Sequence, residues 1–168
     1  MSAGNGGRSA GTGAPPGAFE VVVRIEWVDV DLVGIVRYGA YPRLLDVAEA
    51  ELFRAAGLAF PRVQSEYGLV LVRRVLHLEY LTPARYDALV RVALWVVRAG
   101  RSALTLGIAV RDGSGDAEHV LGYVVVVAVD ATTLAKAALP RDLVARVSAV
   151  TAVDGPVAGD EPGTTGGV

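Results

Sequence analysis

The chain contains no cysteine. Disulfides, thiolate nucleophiles and cysteine-based metal sites are therefore excluded. Histidine is almost as scarce, with only His77 and His119 present. A histidine metal site would need a second subunit, so no metal is expected. Lysine occurs once against fifteen arginines, a bias that reads as GC-rich coding. No uncharged run reaches the length of a membrane span; 120–129 is too short and carries Gly122 and Tyr123. The first 17 residues are mostly Gly, Ala, Ser and Pro, with one Arg and no apolar core, unlike a secretory leader. A cytoplasmic protein without a membrane partner is the expectation. The net charge of −2 gives no electrostatic footprint for nucleic acid.

Apolar surface is abundant instead. Hydrophobic residues make up 52% of the 168 residues. One small domain this apolar is expected to bury part of its surface against copies of itself. Residues 1–17 and 151–168 are Gly/Pro/Thr/Ala-rich with little to bury, and read as disordered tails. The folded domain is expected over 18–150.

Within it, Phe19, Val21, Val23, Ile25 and Trp27 alternate, which predicts a first strand reaching Trp27. Pro42 and Gly57 bracket a helix over 42–56, with Leu45, Ala48, Leu52, Ala55 and Ala56 as its apolar stripe. Glu49 falls on the edge of that stripe. Four long strand-like runs follow, over 69–80, 88–98, 101–111 and 120–130, with turn signals at Ala99-Gly100 and 112–116. They predict a four-strand antiparallel meander. A short helix is expected over 141–147, after Pro140. The fold class is α+β, one long helix on a five-stranded antiparallel sheet. Trp27 and Trp95 read as core aromatics.

The segment Trp27-Val28-Asp29-Val30-Asp31-Leu32-Val33-Gly34-Ile35-Val36-Arg37-Tyr38 sets two carboxylates and a glycine turn just before the long helix. A carboxylate facing a helix N-terminus can attack a carbonyl polarised by the helix amides, or activate water against it. Asp31 is the candidate, because Gly34 lets the backbone approach a ligand closely. Asp29 reads as a structural hydrogen-bonding partner. The D-x-D spacing does not make a calcium loop, since Ala40 stands where the loop needs glutamate. Ser102 lacks the G-x-S-x-G elbow of a serine hydrolase.

Three segments in order resemble one family: 29–41 leading into 45–58, then Leu78-Glu79-Tyr80-Leu81-Thr82-Pro83-Ala84-Arg85-Tyr86-Asp87, then Gly100-Arg101-Ser102 opening a strand. Over about 19–147 the chain resembles the hotdog-fold acyl-CoA thioesterases of the 4-hydroxybenzoyl-CoA thioesterase-like branch. The resemblance implies a hotdog fold, its central helix packed on a curved sheet. It implies Asp31 as nucleophile or general base, and the Tyr38 backbone N–H as the donor to the thioester oxygen. Gly34, Ile35 and Val36 would line the substrate, and Arg101 and Ser102 would lie near the pantetheine and phosphates of CoA. Arg85 and Arg98 are further phosphate candidates, since a guanidinium fork suits phosphate. Glu49 is an alternative base, because other hotdog branches carry a catalytic carboxylate on the central helix. No cofactor or metal is implied, the CoA thioester being the substrate. The implied assembly is a homodimer or homotetramer with shared active sites.

Two other readings stand beside acyl-CoA hydrolysis. One is hydrolysis of an acyl-carrier-protein thioester in polyketide or fatty-acid metabolism. The other is a non-catalytic acyl-CoA-binding protein. A hotdog hydratase is disfavoured, because Val36 stands where that reading wants histidine.

Overall fold

The computed structural model describes residues 13–151. The remainder of the two expected tails, 1–12 and 152–168, lies outside the described residues. Five strands form one antiparallel sheet: β1 (Phe19–Arg24), β2 (Leu69–Tyr80), β3 (Leu89–Ala99), β4 (Ala103–Asp112) and β5 (Glu118–Asp130). Three helices accompany it: α1 (Tyr41–Ala55), α2 (Phe60–Tyr67) and α3 (Arg141–Val150).

The period-2 pattern of the strands meets the 3.6-residue pattern of α1 in one core. Val90, Val92 and Leu94 of β3 and Leu104, Leu106, Ile108 and Val110 of β4 are buried on the same face. Leu44, Leu45, Ala48 and Leu52 of α1 close over them. Each fully buried leucine or isoleucine contributes about 2 kcal/mol of apolar transfer. Register shifts leave Arg74 of β2, Val97 of β3 and His119 of β5 as extra residues, and such bulges bend a strand. The helix-on-sheet architecture expected from the sequence is therefore present.

Several local expectations are corrected. The first strand ends at Arg24, and Trp27 begins a short 3-10 turn in which it is 75% exposed. The four long strands are not a simple meander. The sheet order is β1-β3-β4-β5-β2, so β2 pairs with β5 at the far edge and only β3, β4 and β5 follow one another. Ala55 is exposed, while Tyr41, Glu49 and Phe53 join the buried face of α1. Helix α2 was not expected. Pro61 starts it, and Gly68, with φ of 66°, ends it in the left-handed region.

The sheet has two distinct ends. At one end lie the close of β1, the close of β2 and the opening of β3. At the other lie the β3–β4 turn, the opening of β2 and the close of β5. Among the described residues, no helix is long and apolar enough to cross a membrane.

Candidate active site

The segment after β1 folds into a small hairpin at the first end of the sheet. Val30 and Val36 face each other across it. Asp31 N–H donates to the Ile35 carbonyl at 2.9 Å, and Gly34 N–H donates to the Asp31 carbonyl at 3.0 Å. Gly34 has φ of 74°, which side-chain-bearing residues adopt only under strain. The Asp31 carboxylate completes the turn: its Oδ1 accepts from Val33 N–H at 2.9 Å and from Ile35 N–H at 3.2 Å. Its Oδ2 has no hydrogen-bond partner among the described residues.

The hairpin is laced to the segment between β2 and β3. Val36 N–H donates to the Ala84 carbonyl at 3.0 Å, and Tyr86 N–H to the Gly34 carbonyl at 3.2 Å. Ile35 pairs with Arg85. Gly34, Ile35, Val36 and Arg85 are thus brought together with Asp31.

A 3-10 turn over Tyr38–Ala40 runs directly into α1. The first N–H groups of such a helix have no acceptor within it and carry its positive partial charge. Asp31, Val36, Arg37, Tyr38 and Gly39 line an open cavity of about 470 Å³. The carboxylate and the helix entrance therefore share one space. The Tyr80 hydroxyl donates to the Tyr38 carbonyl at 3.3 Å and fixes that peptide. Sequence reasoning missed this contact, because it joins the end of one strand to a turn 42 residues earlier.

Asp29 has a different role from Asp31. It is 1% exposed and accepts from Glu26 N–H at 2.9 Å and from Arg43 Nε at 2.6 Å, with Arg43 Nη2 on its second oxygen. Burial works against its charge, but the bonds from Arg43 and Glu26 and the nearby guanidinium charges hold the carboxyl below its ordinary range. The pair ties the loop that carries Asp31 to the first turn of α1.

Glu49 stands farther along α1 and is 5% exposed. Arg73 of β2 grips it, with Nη2 at 2.9 Å from Oε2 and Nε at 3.2 Å from Oε1. Arg73 also reaches Asp46 at 2.6 Å. Burial raises the Glu49 carboxyl despite the guanidinium, which acts in the opposite sense. Glu49 does not line the cavity that holds Asp31.

The remaining candidates lie elsewhere in the chain. Arg101 and Ser102 sit on the β3–β4 turn, at the opposite end of the sheet from Asp31. Ten strand steps of β3 separate the two ends, about 33 Å. Arg98 lies near the same far end, on a groove of about 720 Å³ on the sheet face away from α1. One chain does not bring Arg98, Arg101 or Ser102 to Asp31. Strand pairing decides this, and the local sequence carries no record of it.

Residues 33–119 match a family model described as the thioesterase superfamily. A comparison with curated proteins finds no match. Among solved structures, a hypothetical protein from Staphylococcus aureus, in complex with CoA, superposes with a TM-score of 0.73 at 12% identity, covering 90% of this chain and 94% of its own. A DHNA-CoA thioesterase from Staphylococcus aureus gives 0.72 at 18% identity, covering 81% and 92%. A 1,4-dihydroxy-2-naphthoyl-CoA thioesterase from Synechocystis gives 0.70 at 15% identity, covering 77% and 95%. At these identities the structural likeness establishes the fold.

Proposed function

Because the chain belongs to the thioesterase superfamily and is a thioester hydrolase, we propose that it hydrolyses an acyl-CoA to the free acid and CoA at the cavity between Asp31 and the start of α1. One observation carries the proposal: a carboxylate with a free Oδ2 and the unpaired amides of a helix entrance line the same space. The acyl carbonyl oxygen takes the Tyr38 N–H, where the helix entrance stabilises the oxyanion as it forms. One such donor is worth about 3 kcal/mol in the transition state.

Asp31 serves two chemical routes. Its Oδ2 attacks the thioester carbon, the C–S bond breaks, CoA leaves and takes a proton, and water then cleaves the mixed anhydride. Alternatively Asp31 takes a proton from water as that water attacks the same carbon. Neither route calls for a metal or a cofactor. Label in the Asp31 carboxylate after single turnover in oxygen-18 water marks the first route, with water attacking the Asp31 carbonyl of the anhydride.

Shared sites in a homodimer or homotetramer fit the same reading. Leu32 and Val33 on the Asp31 hairpin, Tyr38 at the helix entrance and Tyr86, bonded to the hairpin at Gly34, stand exposed, and a second copy would cover them. A cytoplasmic setting suits a CoA substrate. The test is CoA release from a panel of aromatic, short-chain and medium-chain acyl-CoAs. Turnover of one class supports the proposal. Turnover of carrier-protein thioesters alone would move the function to the carrier-protein reading. Binding without turnover of either would leave a non-catalytic acyl-CoA-binding protein.

A further inference from the structure

Tyr80 closes β2, and its side chain meets the start of α1 at two points. Its ring lies against the ring of Tyr41, with centroids 5.4 Å apart and planes tilted by 57°. Its hydroxyl donates to the Tyr38 carbonyl at 3.3 Å. Tyr41 is buried, whereas Tyr38 is 79% exposed. A phenol seated on a buried ring thus grips an exposed turn.

That turn lacks the usual means of holding a helix start. Arg37 stands at its N-cap and makes no side-chain capping bond. An α-helix would give the Tyr38 carbonyl the N–H four residues on, but that residue is Pro42, which has none. Exposed helix ends of this kind fray. The Tyr80 hydroxyl supplies the donor that Pro42 lacks.

The consequence falls on the other half of the same peptide. The bond from Tyr38 to Gly39 is trans, so its C=O and N–H point in opposite directions. A hydroxyl on the Tyr38 carbonyl therefore sets the direction of the Gly39 N–H. Ala40 N–H donates to the Arg37 carbonyl at 2.9 Å, but the Tyr38 and Gly39 N–H groups have no acceptor among the described residues. Both residues line the Asp31 cavity, and Tyr80 does not. The space beside Gly39 is open, with no atom within 4 Å of the point a Cβ would occupy. A carbonyl oxygen can therefore come close to that N–H.

We infer that the Gly39 N–H is a second donor to the oxyanion, beside the Tyr38 N–H, and that Tyr80 is the positioning residue that aims it. This rests on the acyl-CoA reading above. Tyr80 touches no reacting atom and acts through the Tyr38–Gly39 peptide. As the thioester carbon becomes tetrahedral, charge grows on its oxygen, and donors already in place stabilise it without reorganising. Loss of the Tyr80 hydroxyl frees the peptide to rotate. That raises the barrier and leaves ground-state binding of the substrate almost unchanged.

The experiment is CoA release from the preferred acyl-CoA by wild type, Tyr80→Phe, Gly39→Pro, Gly39→Ala and the double variant Tyr80→Phe/Gly39→Pro, with thermal unfolding of each. Tyr80→Phe keeps the ring on Tyr41 and removes only the hydroxyl. It is expected to lower kcat by about tenfold with KM within about twofold of wild type. Gly39→Pro removes the N–H and is expected to lower kcat by about a hundredfold. Gly39→Ala keeps the N–H and should turn over at least about tenfold faster than Gly39→Pro. In the double variant the hydroxyl has no donor left to aim, so Tyr80→Phe should cost less than about twofold more. A merely structural role would instead add its loss to that of Gly39→Pro. If Gly39→Pro does not fold, the split between kcat and KM in Tyr80→Phe decides alone. A Tyr80→Phe enzyme with kcat within about twofold of wild type, or a loss carried by KM, overturns the inference while wild-type turnover leaves the hydrolytic reading standing. A wild type that cleaves no acyl-CoA refutes both.

Discussion

Asp31 Oδ1 accepts the Val33 N–H at 2.9 Å, while its Oδ2 has no partner among the described residues. One oxygen builds the turn and the other is left free for a ligand. The turn also needs Gly34 at φ of 74°, with open space where a Cβ would lie. A side chain there meets no clash, so the penalty is conformational. Gly34→Val is expected to destabilise by about 1–2 kcal/mol and to lower kcat by displacing the carboxylate. Gly34→Asn, which tolerates the left-handed region, should lose less of both. Thermal unfolding and kcat measured side by side check the ranking.

The Asp29–Arg43 pair predicts a stability loss with a defined pH signature. Asp29 is nearly fully buried, while Arg43 keeps 36% of its side chain in water. Arg43→Ala should cost about 2–3 kcal/mol, near the lower end for a broken buried pair because of that exposure. The folded carboxyl lies below its unfolded value, so its stabilisation is present above about pH 4 and disappears as pH falls through the folded value. Asp29→Asn should remove that part of the acid sensitivity. Urea denaturation at several pH values between about 2 and 7 tests this.

Much of the fold was legible because it is written locally. The runs 69–80 and 120–130 are rich in β-formers and bounded by turn residues, and strands β2 and β5 occupy those spans almost residue for residue. Pro42 and Gly57 bracketed α1 to within two residues at either end. The position of β2 beside β5 was not legible, since pairing is a relation between distant segments. The same limit hid the Arg43 grip on Asp29 across 14 residues. Helix α2 is only eight residues long, and its signals, Pro61 and Gly68, also read as loop. Trp27 is exposed because it stands on the site loop, beyond the end of β1.

The Glu49–Arg73 ion pair predicts that Glu49 serves stability and not turnover. Glu49→Gln is expected to keep kcat within about threefold, whereas loss of a general base typically costs a hundredfold or more. Arg73→Leu leaves a buried carboxylate without its partner and should destabilise by about 3 kcal/mol near neutral pH. Burial already raises this carboxyl in the folded state. In Arg73→Leu the protonated form is therefore favoured on folding, and stability should fall as pH rises from about 4 through the folded value. The double variant Glu49→Gln/Arg73→Leu should lack that slope.

The central claim is that the Asp31 carboxylate performs the chemistry. Asp31→Asn keeps a side-chain oxygen for the Val33 and Ile35 amides and removes only the charge, so the turn should survive. The measurement is CoA release from the preferred acyl-CoA, followed with a thiol reagent that meets no cysteine on the protein. The account predicts a loss of more than about a hundredfold in kcat, with an unfolding midpoint within about 2 °C of wild type. An Asp31→Asn enzyme that retains kcat within about fivefold of wild type would contradict it.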